Sequence, residues 1–275
     1  MLKKFIIIIL LAVISLSLYT VFVNLSLEWE YNQDVNALRR NYSVNDKLST
    51  ANLKSSSIPT PLINFIKFST INRNKFPLYI SVNYSGQYQE NAHSSKEYFA
   101  VKSFYSVKDS SFVSDWKIEH NRILFSKITE KLTGREKMYE KNLYGIKKEA
   151  GVYGFNAAYY LNTRFMFDAV YFPYYYLSNN CIRWEYTGRR QLRITLGTAQ
   201  DNMIYNLKFN EDNSLNSIST ERFAFKGDTV KYTAFYDNYS IKNSFRIPNN
   251  IRVVCEKNFN QFTLYNAYLN NIEYR

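Results

Sequence analysis

Few residues in this sequence could do chemistry. There are two histidines. His93 ends the run Glu90-Asn91-Ala92-His93, which reads as a turn, and His120 follows Glu119 five residues after Asp115. A histidine with carboxylates nearby can serve as a base or a metal ligand, and the same positions suit solvent-facing turn histidines. The carboxylate pairs Asp109/Asp115 and Glu211/Asp212 are close in sequence. Glycoside hydrolysis needs two carboxyls converging in a groove, whereas these pairs fall in turns. His-Glu-x-x-His, Cys-x-x-Cys, Gly-x-Ser-x-Gly and P-loop patterns are absent. Eight glycines in 275 residues leave little for a phosphate loop. The residues therefore nominate no catalytic group, no metal ligand set and no cofactor.

Aromatic side chains are what the chain has in excess, with 25 Tyr and 20 Phe. Within Gly151 to Ser178, Phe155, Ala158, Tyr159, Asn162, Phe165, Met166 and Ala169 recur at i, i+3, i+4 and i+7, a helical period. Arg164 and Asp168 fall on the other side. Pro173 disfavours helical geometry at Phe172 and ends the helix, leaving Tyr174-Tyr175-Tyr176 as a loop or the start of an edge. A helix aromatic around more than half its circumference must be covered on two sides or line a cavity. Both readings stay open here: ordinary core, or a hollow for an acyl chain or apolar peptide.

The elements around this helix read as strands. Leu78, Ile80, Val82 and Tyr84 alternate, with an interruption at Gly86 before Tyr88. Further strands are expected over Tyr98–Val107, Phe112–Glu119, Ile123–Ile128 and Lys137–Lys147. After the helix come Cys181–Tyr186, Leu192–Leu196, Met203–Phe209, Asn216–Arg222, Thr229–Tyr236, Ile251–Lys257 and Phe262–Tyr268. Short polar turns between them indicate an antiparallel meander. Before the first strand, Thr60 as N-cap and Pro61 at the first helical position predict a short helix to Ser69. The fold class expected is mainly β with α. A curved antiparallel sheet, an open half-barrel, is covered by one long and one short helix. Strand phase points Cys181 outward and Cys255 inward, which argues against a disulfide.

The segment Phe5 to Val23 holds no charge and no proline. As a helix its 19 residues span about 28 Å, against roughly 30 Å for a bilayer core. Lys3 and Lys4 precede it, which predicts a cytoplasmic N-terminus. The apolar run exceeds a signal-peptide core and no Ala-x-Ala site follows, so an uncleaved signal-anchor is expected. The expected layout is residues 1–27 as transmembrane anchor in the inner membrane, 28–57 as linker with a short helix around Val35 to Arg40, and 58–275 as a β-rich extracytoplasmic domain. The net charge of +12 would favour anionic lipid, but no Lys/Arg run exceeds two, so the excess reads as a solvated surface rather than a nucleic-acid site.

Several short patterns together resemble an uncharacterised family of membrane-anchored bacterial proteins of unknown function. They are Ile58-Pro59-Thr60-Pro61, Tyr171-Phe172-Pro173, Ile182-Arg183-Trp184-Glu185, Asn210-Glu211-Asp212, Thr220-Glu221-Arg222 and Phe245-Arg246-Ile247-Pro248. That family is distantly similar to the lipoprotein carriers LolA and LolB. The resemblance implies an open half-barrel with helices plugging an apolar cavity, and it carries over no catalytic residue. The expectation is a membrane-tethered, non-catalytic module for an apolar ligand. Tyr159, Phe165 and Trp184 would line the cavity, with Arg222 as a polar contact. A structural or interaction protein of the envelope, or a hydrolase of envelope polymers, are the alternatives.

Overall fold

Alternating apolar residues force most of this chain into a single sheet. The computed structural model describes residues 2–40, 48–49, 58–71, 75–120, 125–133, 137–143, 146–147, 155–178, 182–197, 202–225, 228–258 and 260–275. In chain order, α1 is Leu2–Arg39, β1 Leu48–Ser49, α2 Thr60–Ser69, β2 Lys75–Phe76, β3 Tyr79–Tyr88, β4 Glu97–Ser106, β5 Ser111–Glu119, β6 Phe125–Leu132, β7 Lys137–Leu143 and β8 Ile146–Lys147. Next come α3 Phe155–Asp168, a 3₁₀ turn Ala169–Tyr171, α4 Tyr175–Ser178, β9 Ile182–Gly188, β10 Gln191–Leu196, β11 Met203–Phe209 and β12 Leu215–Thr220. The chain closes with β13 Phe223–Phe225, β14 Asp228–Lys242, β15 Phe245–Lys257 and β16 Asn260–Tyr274.

β1 and β2 form a small separate pair, while the other fourteen strands make one antiparallel sheet. Its order is β8-β7-β6-β5-β4-β3-β16-β15-β14-β12-β11-β10-β9, with β13 beside β14. The first and last long strands, β3 and β16, pair at the centre, and β8 and β9 are the two edges. The sheet is open rather than closed, and α3 is the link that carries the chain from one edge to the other.

The registers give the half-barrel two ends. Tyr88 pairs with Glu97, Glu119 with Phe125, and Lys257 with both Val230 and Asn260; these mark one end, called here the near end. Tyr79 pairs with Ser106, Phe112 with Leu132, and Lys242 with Phe245 at the far end. α2 plugs the far end. Leu62, Phe65 and Ile66 are fully buried, each worth about 1.5–3 kcal/mol relative to exposure. Phe65 meets Phe209 and Phe68 meets Tyr239, with ring centroids 5.8 and 5.5 Å apart. Tyr174, Tyr175 and Tyr176 fill the space beneath: Tyr174 stacks on Phe76, Tyr175 meets Phe165 edge to face, and Tyr175 and Tyr176 pack at a tilt.

Several elements differ from the sequence expectations, each for a physical reason. α2 begins one residue earlier, with Pro59 rather than Thr60 at the N-cap and no side-chain cap. Gly86 does not interrupt β3: it faces Ala267, and a Cβ there would lie 1.9 Å from the Asn266 carbonyl oxygen, so the glycine permits close strand approach. Tyr175 and Tyr176 are helical and buried, not a loop. β14 and β15 run longer and meet at Asn243-Ser244, both at positive φ (51° and 65°), a tight hairpin geometry. Residues 28–39, read as the first part of a linker, continue α1. Val35 and Leu38 bury against Leu78, Tyr79, Phe104 and Val113. Cys255 is a buried free thiol, whereas Cys181 lies outside the described residues.

Candidate functional site

Every position from Leu161 to Tyr176 except Asn162 is buried, because the sheet curls around the helical segment. The polar side of α3, with Arg164 and Asp168, is therefore enclosed and not solvated. Arg164 Nη1 lies 2.7 Å from Asp168 Oδ2, one helical turn on, and Arg164 Nε lies 3.6 Å from Glu130 Oε2 on β6. Nη1 also donates to the Tyr265 hydroxyl at 3.4 Å. The guanidinium carbon sits over the rings of Trp116, Tyr84 and Tyr265 at 5.0, 5.2 and 5.7 Å. Tyr105 donates to Asp168 Oδ2. Glu130 accepts from Ser114 Oγ (2.7 Å), Trp116 Nε1 (2.8 Å) and Tyr160 Oη (2.7 Å).

One guanidinium thus serves two buried carboxyls. Burial pushes both Glu130 and Asp168 above the ordinary carboxylate range, against the donors to Glu130 and against Arg164 and Tyr105 at Asp168. Burial also opposes the Arg164 charge, but Asp168 and Tyr265 outweigh it and hold the guanidinium protonated. Burial, then the Asp168 charge, drives the Tyr105 hydroxyl well above its usual value.

Beside this cluster, at the near end, lies a cavity of about 330 Å³. Its floor is Trp116, Ile128, Glu130, Val230, Tyr232, Cys255 and Tyr265, all buried. Tyr160 closes it from α3. Its mouth carries half-buried Tyr88, Phe262 and Leu264, exposed Glu90, and the ion pair Lys257–Asp228 at 2.8 Å. Burial raises the Cys255 thiol to about 11. Aromatic and aliphatic side chains share its walls with polar groups: tyrosine hydroxyls, the Glu130 carboxyl at the base and the charged mouth. A second cavity of about 350 Å³, bordered by Asn64, Arg189, Arg190 and Glu211, is polar and lies against α2.

The four residues expected to form the site are not brought together. Phe165 is solid core among Tyr105, Phe112, Phe172 and Tyr175. Tyr159 packs on Phe223 and donates to the Asn202 carbonyl. Trp184 is partly buried opposite Ile194, and Arg222 pairs with Glu256 at the surface. None of the four lines the 330 Å³ cavity. What the sequence reading missed is Glu130. Ser126, Ile128, Glu130 and Leu132 share the inward face of β6, so a carboxyl among apolar neighbours was visible there.

The other chemical candidates have structural duties. His120 hydrogen-bonds Glu97 and Ser126, both at 2.6 Å, and His93 is exposed in a turn. Asp115 pairs with Lys127 at 3.2 Å, Asp109 accepts from Ser106, Glu211 pairs with Arg190, and Asp212 accepts from Ser214. The carboxyls that do converge, Glu130 and Asp168, share Arg164, and of the two Glu130 is the one that lines the 330 Å³ cavity. That arrangement gives no acid–base pair flanking a substrate. Among the described residues no group of three or more His, Cys, Asp or Glu is placed to hold a metal ion.

The fold and cavity define an open antiparallel half-barrel, plugged by helices, with an aromatic-lined recess among the described residues at its near end. Residues 47–267 match the model of a family described as a family of unknown function, DUF6544, and the chain belongs to that family. No curated protein matches it. Among solved structures, one similar chain is a "putative outer membrane lipoprotein-sorting protein domain" from Vibrio parahaemolyticus. It is 10% identical with a TM-score of 0.40, over 72% of this chain and 85% of that one. Another is a DUF1329 family protein from Desulfovibrio piger, 9% identical with a TM-score of 0.44, over 80% of this chain and 94% of the other.

Proposed function

We propose that this protein is a membrane-tethered, non-catalytic module of the cell envelope that holds one apolar group in the near-end cavity. The observation that carries the reading is the recess itself. Interiors normally pack to crystal density, yet here Trp116, Ile128, Val230, Tyr232 and Tyr265 border about 330 Å³ of space. That volume is at the lower end of ligand pockets, fitting a single chain rather than a several-chained lipid. The tether is α1. It is the one helix among the described residues long and apolar enough to cross a membrane, and Lys3 and Lys4 orient it with the domain outside the cytoplasmic membrane.

The test uses full-length protein purified in mild detergent. Organic extracts would be examined by mass spectrometry, and the protein titrated with a fluorescent fatty acid. Co-purifying lipid and saturable uptake support the reading. An empty protein that takes up no probe would overturn it and leave a structural role in the envelope.

A further inference from the structure

The anchor and the cavity share an end of the molecule. The last turn of α1 is fixed at the far end: Tyr79 Oη donates to the Leu38 and Arg39 carbonyls at 3.4 and 3.2 Å, and Arg39 lies over the Phe104 ring at 4.9 Å. Asp34 pairs with Lys131 at 2.7 Å, and Glu28 with Lys102, midway along β4, at 3.3 Å. Covered or half-covered residues then continue toward the N-terminus as Leu27, Asn24, Val23 and Thr20, one face of the helix at i, i+3 and i+4. Val23 is 8% exposed where neighbouring Phe22 is 69% exposed. From Thr20 to Leu38 the stripe spans about 27 Å, close to the roughly 33 Å length of a ten-residue strand such as β4. The helix therefore runs down the outside of the sheet from the far end to the near end, and its bare apolar part, Phe5 to Tyr19, projects beyond the near end.

We infer that the cavity mouth opens onto the bilayer surface and that its occupant is an acyl chain of a lipid from that leaflet. This inference rests on the binding reading above and adds where the ligand comes from. The far end, closed by α2, points away from the membrane. The near end carries what an interfacial rim needs. Tyr98 is 50% exposed beside it, Lys96 is exposed, as is Lys117 in its ion pair with Glu119 at 3.0 Å, and Phe262 and Leu264 stand half-open at the mouth. A lipid tail lifted from the leaflet would cross only this rim to reach Val230 and Tyr265, without passing through bulk water. The continuous helix from membrane to sheet makes this a fixed orientation rather than one sampled on a loose tether.

The experiment uses the full chain in vesicles of phosphatidylcholine and phosphatidylglycerol, in a Cys181→Ser background that keeps the buried Cys255 thiol. One fluorophore is placed at Gln261→Cys on the near rim and, separately, at Ile241→Cys on the far tip. Spin-labelled lipids should quench the Gln261 label several-fold more than the Ile241 label. A lipid bearing a photoreactive diazirine in its acyl chain should crosslink within residues 228–232 and 260–265 and leave α2 unmodified. Equal quenching at both ends would overturn the orientation even if the detergent-solubilised protein binds fatty acid. Near-end quenching without a cavity crosslink, in protein that binds fatty acid in detergent, would overturn uptake from the bilayer alone. No crosslink and no fatty-acid binding would remove the inference together with the reading beneath it.

Discussion

Replacing Arg164 by methionine isolates the energetics of the buried cluster. Methionine keeps an unbranched chain of similar reach in the cage of Tyr84, Trp116 and Tyr265, so the change is chiefly one of charge and hydrogen bonding. Asp168 loses its partner at 2.7 Å and Glu130 a cation at 3.6 Å. Breaking a buried ion pair by removing one member costs about 3–5 kcal/mol, because the remaining charge is left desolvated. At about 2–4 °C per kcal/mol for a domain of this size, the melting temperature should fall by about 6–20 °C at neutral pH. The pH dependence checks the cause. Both carboxyls already titrate above their unfolded values, so their protonated forms favour the folded state. Without Arg164 that bias grows. The penalty should therefore be smallest below about pH 4, the unfolded carboxylate range, and increase as pH rises through the folded values. Thermal melts of full-length protein in detergent, followed by tryptophan fluorescence, give the comparison. A loss below about 1 kcal/mol, or the same loss at acid and neutral pH, would refute the assignment of this cluster as the core's electrostatic keystone.

Glu130→Gln removes one titrating group whose folded value is raised; its stability relative to wild type should improve as pH rises above about 4, the unfolded carboxylate range, read from paired melts. Gly86→Ala should destabilise by about 1–3 kcal/mol, because its Cβ meets the Asn266 carbonyl where β3 and β16 join the two halves of the sheet; denaturant midpoints would show it. Val35→Asp with Leu38→Asp should release α1 from β4 and β5 while the sheet keeps its circular dichroism. Proteolysis between the membrane segment and the domain should then accelerate.

Much of the architecture could be read from local pattern. Ile80, Val82 and Tyr84 announced an inward face, and Pro173 marked the end of the aromatic helix, where Phe172 adopts non-helical angles (φ −141°, ψ 64°). Pairing of β3 with β16 was not legible, since strands nearly 200 residues apart leave no local trace except Gly86. The placement of Arg164 and Asp168 failed for a related reason. Helical phase put them opposite the apolar face, but a sheet that curls far enough buries both faces. A signal existed: they are the only charged residues in Phe155–Asp168, spaced i, i+4, on an otherwise uncharged aromatic helix. The expected cavity lining followed aromatic abundance, and the most aromatic stretch proved to be the best-packed, because large rings at successive turns interlock. The open space lies instead beside Tyr160, near the start of α3.

The near-end recess as a binding site is tested most directly by filling it. Leu264→Trp adds a ring at the half-open mouth, away from the Arg164 cluster. If the cavity holds the ligand, wild-type protein takes up fluorescent fatty acid saturably, while the variant, with an unchanged melting temperature, takes up little or none. Equal uptake by the two proteins would contradict the account.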